Sequence, residues 1–273
     1  MKRVVALLGA CHPGPAFAVT LLAGLLAGAV GLGPGRIALV IAAVLTGQLS
    51  IGWSNDLIDL SRDRAVGRTD KPLVEDRVSE RVVRTACAVA VLATVPLSLA
   101  CGWLAGTVHL VCVAAAWAYN LGVKSTPWSW LPYAVAFGGL PVFVSLTESP
   151  GEAPPLWLPV AGALLGVGAH FVNVLPDLED DAATGVRGLP HRLGARVSGL
   201  VIAVSLAAAS ALLLVGVTDV LHWVGFGAGL AIAAACVVLV LRGQVSRLLF
   251  RLIIAAALLD VVLLALSGAA LTA

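Results

Sequence analysis

The feature that most constrains the fold is a series of apolar stretches, each close to 20 residues long, that recurs along the whole chain. A helix needs about 20 apolar residues to cross roughly 30 Å of hydrocarbon. Charged residues make up only 12% of the chain, whereas soluble domains average about 25%. The chain is therefore predicted to be an all-α integral membrane protein that forms a single domain over residues 1–273. Nine spans are predicted, at 15–33, 37–54, 83–102, 106–123, 129–147, 156–176, 197–217, 220–241 and 248–270.

The basic residues predict how these spans are oriented. All 17 Lys and Arg except Arg36 fall at the N-terminus or beside segments that follow even-numbered spans. Because cytoplasmic loops carry an excess of Lys and Arg, we expect a cytoplasmic N-terminus in a multi-pass protein of the cell membrane. Arg far outnumbers Lys, which suggests a GC-rich genome, and we expect a bacterial source. The formal net charge of +2 does not favour nucleic acid as a partner, and the lipid bilayer is the expected environment.

Two acidic clusters lie at the ends of apolar spans, both on the predicted cytoplasmic side. The first cluster is residues 55–63 (N-D-L-I-D-L-S-R-D), and the second cluster is residues 177–181 (D-L-E-D-D). Helical spacing brings Asp56, Asp59 and Asp63 to one face of their helix, and Asp177 and Asp181 to one face of theirs. Two such faces opposed across a cavity would form an oxygen-rich site for Mg²⁺, which fills its remaining positions with water and substrate phosphate. The sequence therefore predicts a phosphorylated substrate held at the edge of the membrane.

The clusters and the segments between them resemble motifs of the UbiA superfamily of intramembrane prenyltransferases. The first cluster matches N-D-x-x-D-x-x-x-D, and the second is similar to D-x-x-x-D. Residues 68–73 (R-T-D-K-P-L) resemble a basic R-T-x-[KR]-P-L segment, and Tyr119 with Lys124 resembles a Tyr-Lys feature. Residues 188–194 (G-L-P-H-R-L-G) resemble T-L-P-x-x-x-G, with Gly in place of Thr. The resemblance covers essentially the whole chain in order.

This resemblance implies nine transmembrane helices around a central cavity and a prenyl transfer from a polyprenyl diphosphate to an acceptor that is often aromatic. Mg²⁺ bound by the two motifs would hold the diphosphate and help it leave. The implied catalytic residues are Asn55, Asp59, Asp177 and Asp181. The implied metal ligands are Asp56, Asp59, Asp63, Asp177 and Asp181. Neither the acceptor nor the length of the prenyl chain follows from the sequence.

Alternative roles remain open for several acidic residues. Asp56 and Asp63 could pair with Arg62, Arg64 or another base instead of a metal. Asp180 stands at i+3 from Asp177 and could substitute for Asp181 or assist it. Asp260, a single acid in the ninth span, has no assigned partner.

Basic residues on the predicted cytoplasmic side could bind the diphosphate. Arg favours bidentate contact with phosphate, and Lys acts as a point charge. The bases expected to bind the diphosphate are Arg68, Lys71, Lys124 and Arg187. The alternative is that they only set the orientation of the protein in the membrane.

Polar residues continue both acidic stripes into the membrane. Intramembrane polar groups usually face the bundle interior or a wet cavity. The residues expected to line the acceptor or tail pocket are Gln48, His170, Asn173, Asn120 and Tyr119. The alternative is that they form hydrogen bonds that pack helices together.

Three other functions are alternatives to a transferase. A membrane terpene cyclase of the same superfamily would capture the cation intramolecularly. A CDP-alcohol phosphotransferase requires D-x-x-D-G, but Leu60 follows Asp59. A cation-coupled transporter is expected to bind near the midplane of the membrane, whereas both clusters lie at one face.

Overall fold

The computed structural model describes residues 2–148, 152–216 and 220–242, together with 255 and 259. These residues form helices, and no β-strand is found among them. Asp260 and almost all of the predicted ninth span lie outside the described residues.

Ten α-helices are present in the described ranges, joined at two points by short 3₁₀ turns, Val123–Ser125 and Leu175–Asp177. In chain order they are α1 (Lys2–Gly9), α2 (Pro13–Ala29), α3 (Pro34–Ala65), α4 (Glu80–Ala100), α5 (Trp103–Leu121), α6 (Leu131–Leu146), α7 (Trp157–Val174), α8 (Leu178–Ala183), α9 (Leu189–Gly216) and α10 (Val220–Leu241).

Five of these helices are long and apolar enough to cross a membrane, namely α3, α4, α5, α7 with the turn that follows it, and α9. The pair α1 and α2, bent by 70°, could form a sixth span, and α6 and part of α10 are shorter apolar helices. The prediction of an all-helical protein with several apolar helices is confirmed. The number of nine spans stays a prediction.

The helix α3 differs most from its predicted span. Hydropathy predicted a span over 37–54, but the helix continues to Ala65 and carries the whole first cluster in its last turns. The helix is longer because a polar segment can stay helical after it has left the hydrocarbon, where hydropathy no longer marks it. The chain then crosses to α4. Ser79 caps the N-terminus of α4, since its Oγ accepts the Val82 N–H at 3.4 Å.

The bundle is held together by close contacts at small residues, as expected for helices in a membrane. A β-carbon on Gly106 would lie 2.4 Å from the carbonyl O of Ser98, and one on Gly166 would lie 2.4 Å from that of Tyr133. These positions bring α4 against α5 and α6 against α7. Further along the chain, α9 packs on both α7 and α10.

The ends of three helices meet on one side of the bundle. Lys124, just after α5, contacts Asp59 near the end of α3. Arg68, in the loop after α3, has its Nη1 3.6 Å from Oδ1 of Asp177 at the end of α7. The fold therefore gathers the two acidic clusters, which are about 120 residues apart in the chain, at a common place.

Candidate active site at the ends of α3, α5 and α7

The centre of the first cluster is Asp59, which is only 6% exposed. The Lys124 Nζ lies 2.7 Å from its Oδ2, and the Arg62 Nη2 lies 2.5 Å from its Oδ1. Lys124 reaches Asp59 because Gly122 ends α5 with φ +151°, a conformation that turns the chain back toward α3 and that favours glycine. Asp59 is thus neutralised by two bases from different segments.

Asp56 and Asp63 are neutralised by one shared base. The Lys71 Nζ lies 3.0 Å from the Asp56 Oδ1 and 2.7 Å from the Asp63 Oδ2. The Asp56 Oδ1 is also 3.0 Å from the Nε2 of His12. The sequence left open that Asp56 and Asp63 pair with a base, and in the structure that base is Lys71. Arg64, another base considered for this role, pairs with Asp76.

The environments of the two lysines shift their pKa values in opposite directions. Burial alone would lower the pKa of Lys71, but Asp56 and Asp63 outweigh it and raise that pKa above its ordinary value. For Lys124 burial dominates, so its pKa lies below the ordinary value although Asp59 acts the other way. Lys124 therefore holds its charge less firmly than Lys71 does.

A network of amides supports the first cluster from α5. The Asn55 Nδ2 donates to the Asp59 Oδ2 at 3.3 Å and to the Asn120 Oδ1 at 3.2 Å. The Asn120 Nδ2 in turn donates to the Ser54 Oγ at 2.9 Å and to the Ile51 carbonyl O at 3.0 Å. Asn120 is therefore used to join α5 to α3, which is the packing role that the sequence left open for it.

The second cluster is more open and lacks a close base. The Asp177 and Asp181 side chains are 43% and 29% exposed. Their nearest basic atoms are the Arg68 Nη1 and the His191 Nε2, each 3.6 Å away. Burial, and then the charge of Asp177, raise the pKa of Asp181 to about 6, and Arg62 and Lys124 do not fully offset them. The arrangement leaves unbalanced negative charge facing the first cluster.

The side chains present fit a magnesium ion. All the candidate ligands are carboxylate oxygens, which Mg²⁺ prefers, and the raised pKa of Asp181 marks a place where a cation would relieve repulsion. In the described ranges no three Asp, Glu, His or Cys side chains are already arranged to hold a metal. The reason is that the carboxylates of the first cluster face Lys71, Lys124 and Arg62. The metal-ligand assignment stays a prediction.

The four bases predicted to bind the diphosphate differ in their burial and in their partners. The Arg68 guanidinium is bound by Asp70 at 2.9 and 3.1 Å, and this hydrogen bonding raises the pKa of Arg68 further above its ordinary value. Arg187 is exposed in the loop before α9. Lys71 and Lys124 are buried with carboxylates. Arg68 contacts both Asp70, in the loop after α3, and Asp177 of the second cluster.

His170 lies at the centre of an aromatic and polar group between α5, α6 and α7. It is 1% exposed, and its ring centroid lies 5.7 Å from that of Tyr119 and 5.1 Å from that of Tyr133. Its Nε2 lies 3.0 Å from the Ser129 Oγ, while its Nδ1 is buried without a hydrogen bond. Asn173 donates to the Tyr133 hydroxyl at 3.2 Å. His170, Tyr119 and Asn173 thus belong to one group, and the role of this group as the lining of an acceptor or tail pocket stays a prediction.

Gln48, the remaining predicted pocket residue, is half-buried on α3. An apolar groove with a volume of 320 Å³ runs between α6 and α7, and its lining includes Trp130, Ala134, Leu156, Pro159, Val160, Ala163, Leu164 and Val167.

Three residues at the site were missed in the sequence. Ser129 accepts the Leu189 N–H at 2.9 Å and so fixes the start of α9. His191 brings a ring whose two nitrogens are buried without hydrogen bonds to within 3.6 Å of Asp181. His12 contacts Asp56 from 44 positions upstream in the chain. Only His191 had a usable signal, since it lies inside the quoted 188–194 tract.

Comparisons with known proteins agree with this site and fold. The profile of the UbiA prenyltransferase family matches residues 16–249. The bacteriochlorophyll synthase 33 kDa chain of Cereibacter sphaeroides is 35% identical over 186 residues, which are 62% of this chain. The match spans only 60% of that relative's length.

Solved structures show the same fold at low identity. A UbiA homologue from Aeropyrum pernix K1, solved without ligand, superposes with a TM-score of 0.75 at 21% identity, over 90% of this chain and 94% of that one. A UbiA homologue from Archaeoglobus fulgidus bound to GPP and Mg²⁺ superposes with a TM-score of 0.66 at 15% identity, over 94% and 99% of the two chains. The predicted resemblance is confirmed, and the chain belongs to the UbiA prenyltransferase family of enzymes.

Proposed function

We propose that this protein transfers a prenyl group from a prenyl diphosphate to an acceptor, with Mg²⁺ as cofactor, at the cytoplasmic face of a bacterial cell membrane. The observation that carries the proposal is the meeting of the two acidic clusters, since Arg68 lies 3.6 Å from Asp177 while Asp181 responds to the charges of Arg62 and Lys124. The homologue from Archaeoglobus fulgidus binds GPP and Mg²⁺, which supports the choice of donor and metal.

The proposed ligands of the metal are Asp59, Asp63, Asp177 and Asp181. Bound Mg²⁺ would neutralise the diphosphate and stabilise the charge that develops as it leaves. Asp177 and Asp181, whose nearest basic nitrogens lie 3.6 Å away, could bind it directly. Asp59 and Asp63 can do so once Lys124 and Lys71 have turned away from them.

The bases of the site then act on the diphosphate. With Mg²⁺ held by Asp59, the Lys124 ammonium would be free to contact a phosphate oxygen, and Arg68 would offer a planar guanidinium beside Asp177. Both cations would stabilise the leaving group more strongly as its charge grows, which lowers the barrier. The group around His170 and Tyr119 is the proposed place of the acceptor.

The membrane arrangement belongs to the same proposal. Nine spans with a cytoplasmic N-terminus would put both clusters on the cytoplasmic side. Single cysteines introduced at Asp76 and Arg187 should then react with a membrane-impermeant reagent from the cytoplasmic side only. Labelling of these two positions from opposite sides would exclude a shared site.

The function is tested by incubating the purified protein with GPP and following the release of inorganic diphosphate, a reaction in which water takes the prenyl group in place of the acceptor. Release is expected with Mg²⁺ and not with EDTA, and both Asp177→Asn and Asp181→Asn should lower its rate roughly 10²–10³-fold. A magnesium-independent rate, or normal rates in both variants, would overturn the proposal. Product analysis without any added acceptor distinguishes a transferase from a cyclase, since only the cyclase yields a cyclic hydrocarbon or alcohol.

A further inference from the structure

The N-terminal helix is fastened to α3 beside the first acidic cluster. A β-carbon on Gly52 would lie 2.1 Å from the carbonyl O of Cys11, so the hinge between α1 and α2 lies directly on α3. The Trp53 Nε1 donates to the Leu7 carbonyl O at 2.9 Å. These two contacts hold the following residue, His12, at a fixed place next to the cluster.

His12 has an unusual backbone and a defined partner. Its φ of 53° and ψ of 64° are left-handed, which is uncommon for a residue other than glycine. Its ring Nε2 lies 3.0 Å from the Oδ1 of Asp56, a residue that is 2% exposed. Residues in such conformations tend to occur at functional sites, where the surrounding structure holds them.

The same carboxylate oxygen is shared with a base that the proposed reaction needs. The Lys71 Nζ lies 3.0 Å from the Asp56 Oδ1 and also holds Asp63. If Lys71 turns to a diphosphate, Asp56 loses that partner while it stays buried. A buried carboxylate without a partner is strongly unfavourable, so Lys71 can move only if Asp56 keeps another hydrogen-bond donor.

We propose that His12 is a positioning residue that holds Asp56 while Lys71 contacts the diphosphate of the donor. The inference rests on the proposed function and assigns Asp56 a role as countercharge instead of metal ligand. It also makes the segment before α2 a part of the active site. Without His12, Lys71 stays bound to Asp56, and diphosphate binds more weakly.

The test measures the affinity of the purified full-length protein for inorganic diphosphate in the presence of Mg²⁺, by titration calorimetry in detergent. The Gln side chain can place its amide nitrogen near the position of Nε2, so His12→Gln should stay within about threefold of the unaltered protein. His12→Asn and His12→Gly do not reach Asp56 and should weaken binding about tenfold, as expected for a lost hydrogen bond to a charged group. Leu8→Ala, an exposed position on α1, is the matched control and should bind normally.

This series separates the side chain from the backbone. Asn and Gly adopt left-handed conformations more easily than Gln, so a purely conformational role would rank His12→Asn and His12→Gly above His12→Gln. That ranking, or equal binding by all three variants, would overturn the inference.

A double variant gives a second and opposite signature. Asp56→Asn removes the charge that retains Lys71, so His12→Gly combined with Asp56→Asn should bind diphosphate better than His12→Gly alone. If Asp56 is a metal ligand, Asp56→Asn will instead abolish magnesium-dependent binding, and the inference is wrong. If the unaltered protein binds no diphosphate with Mg²⁺, the proposed function itself fails, whereas normal binding that no His12 variant changes overturns this inference alone.

Discussion

The two acidic clusters have similar side chains but differ in how their charge is balanced. In the first cluster, the side chains of Asp56, Asp59 and Asp63 are between 2% and 9% exposed, and each has a basic nitrogen within 3.0 Å. In the second, Asp177 and Asp181 are 43% and 29% exposed, with their nearest basic nitrogens 3.6 Å away.

This difference suggests separate roles for the two clusters. Paired and buried charges hold the ends of α3 and α5 in place, because separating them would leave an unbalanced charge in a poorly hydrated region. In the second cluster, Asp177 and Asp181 have only the longer contacts of 3.6 Å to Arg68 and His191, and this cluster is the proposed place for a cation. We expect Asp177 and Asp181 to hold a metal more readily than the first cluster, whose bases would have to leave their carboxylates before those could bind a metal.

Removing a carboxylate from the second cluster should have the largest effect on activity and no cost in stability. Asp181→Asn is expected to lower the rate of diphosphate release from GPP roughly 10²–10³-fold, by analogy with the loss of one group that stabilises developing charge. Its midpoint of thermal unfolding in detergent should rise, because Asp177 loses a like charge nearby. Asp180→Asn is the control. If both variants lose activity equally, the assignment of the metal to Asp181 is wrong.

The same substitution in the first cluster should act on the fold. Asp59→Asn leaves Lys124 buried without its partner and deprives Arg62 of its contact, which should lower the free energy of unfolding by about 3 kcal/mol. Thermal unfolding of metal-free protein, measured beside Asp181→Asn, tests the comparison directly. If both variants shift the midpoint in the same direction, the clusters do not differ in the way described.

The bases of the first cluster can be tested for a part in catalysis. If Lys124 contacts the diphosphate, Lys124→Gln should lower kcat/KM for GPP roughly 10²-fold, about 2.7 kcal/mol of transition-state stabilisation. Lys124→Arg should restore only part of it, since a planar fork does not replace a compact ammonium. Arg64→Gln, which removes an exposed base, is the control. If kcat/KM of Lys124→Gln stays within about twofold of the unaltered enzyme, Lys124 acts only in orienting the protein in the membrane.

The sequence predicted what depends on local spacing. Helical periodicity brought Asp59 and Asp63 to one face, and apolar length predicted a membrane bundle. Periodicity shows which side of a helix a residue occupies but not which distant segment packs there. His12 and Lys71 meet at Asp56 from two separate loops, and that contact is set by the approach of Cys11 to Gly52, which leaves no mark on local spacing.

A glycine between the clusters gives the smallest expected effect and tests how the clusters are joined. A β-carbon on Gly188 would lie 2.5 Å from the carbonyl O of Lys124 and 2.8 Å from the Ser129 Oγ. The backbone before α9 therefore lies against the segment that carries Lys124 to the first cluster. His191, which contacts Asp181, follows Gly188 closely in the chain. The contact at Gly188 is therefore expected to set the spacing between the two clusters.

Gly188→Ala should force that backbone apart and destabilise the protein by about 1–2 kcal/mol, as overpacking against a main chain usually does. Diphosphate release should fall as well, because α9 moves His191 relative to Asp181. Gly28→Ala in α2, where a β-carbon would meet nothing within 4 Å, is the matched control and should be neutral or slightly stabilising. If the two alanine variants have equal unfolding midpoints and equal rates, the spacing of the clusters does not depend on this contact, and the loop before α9 is free to adjust.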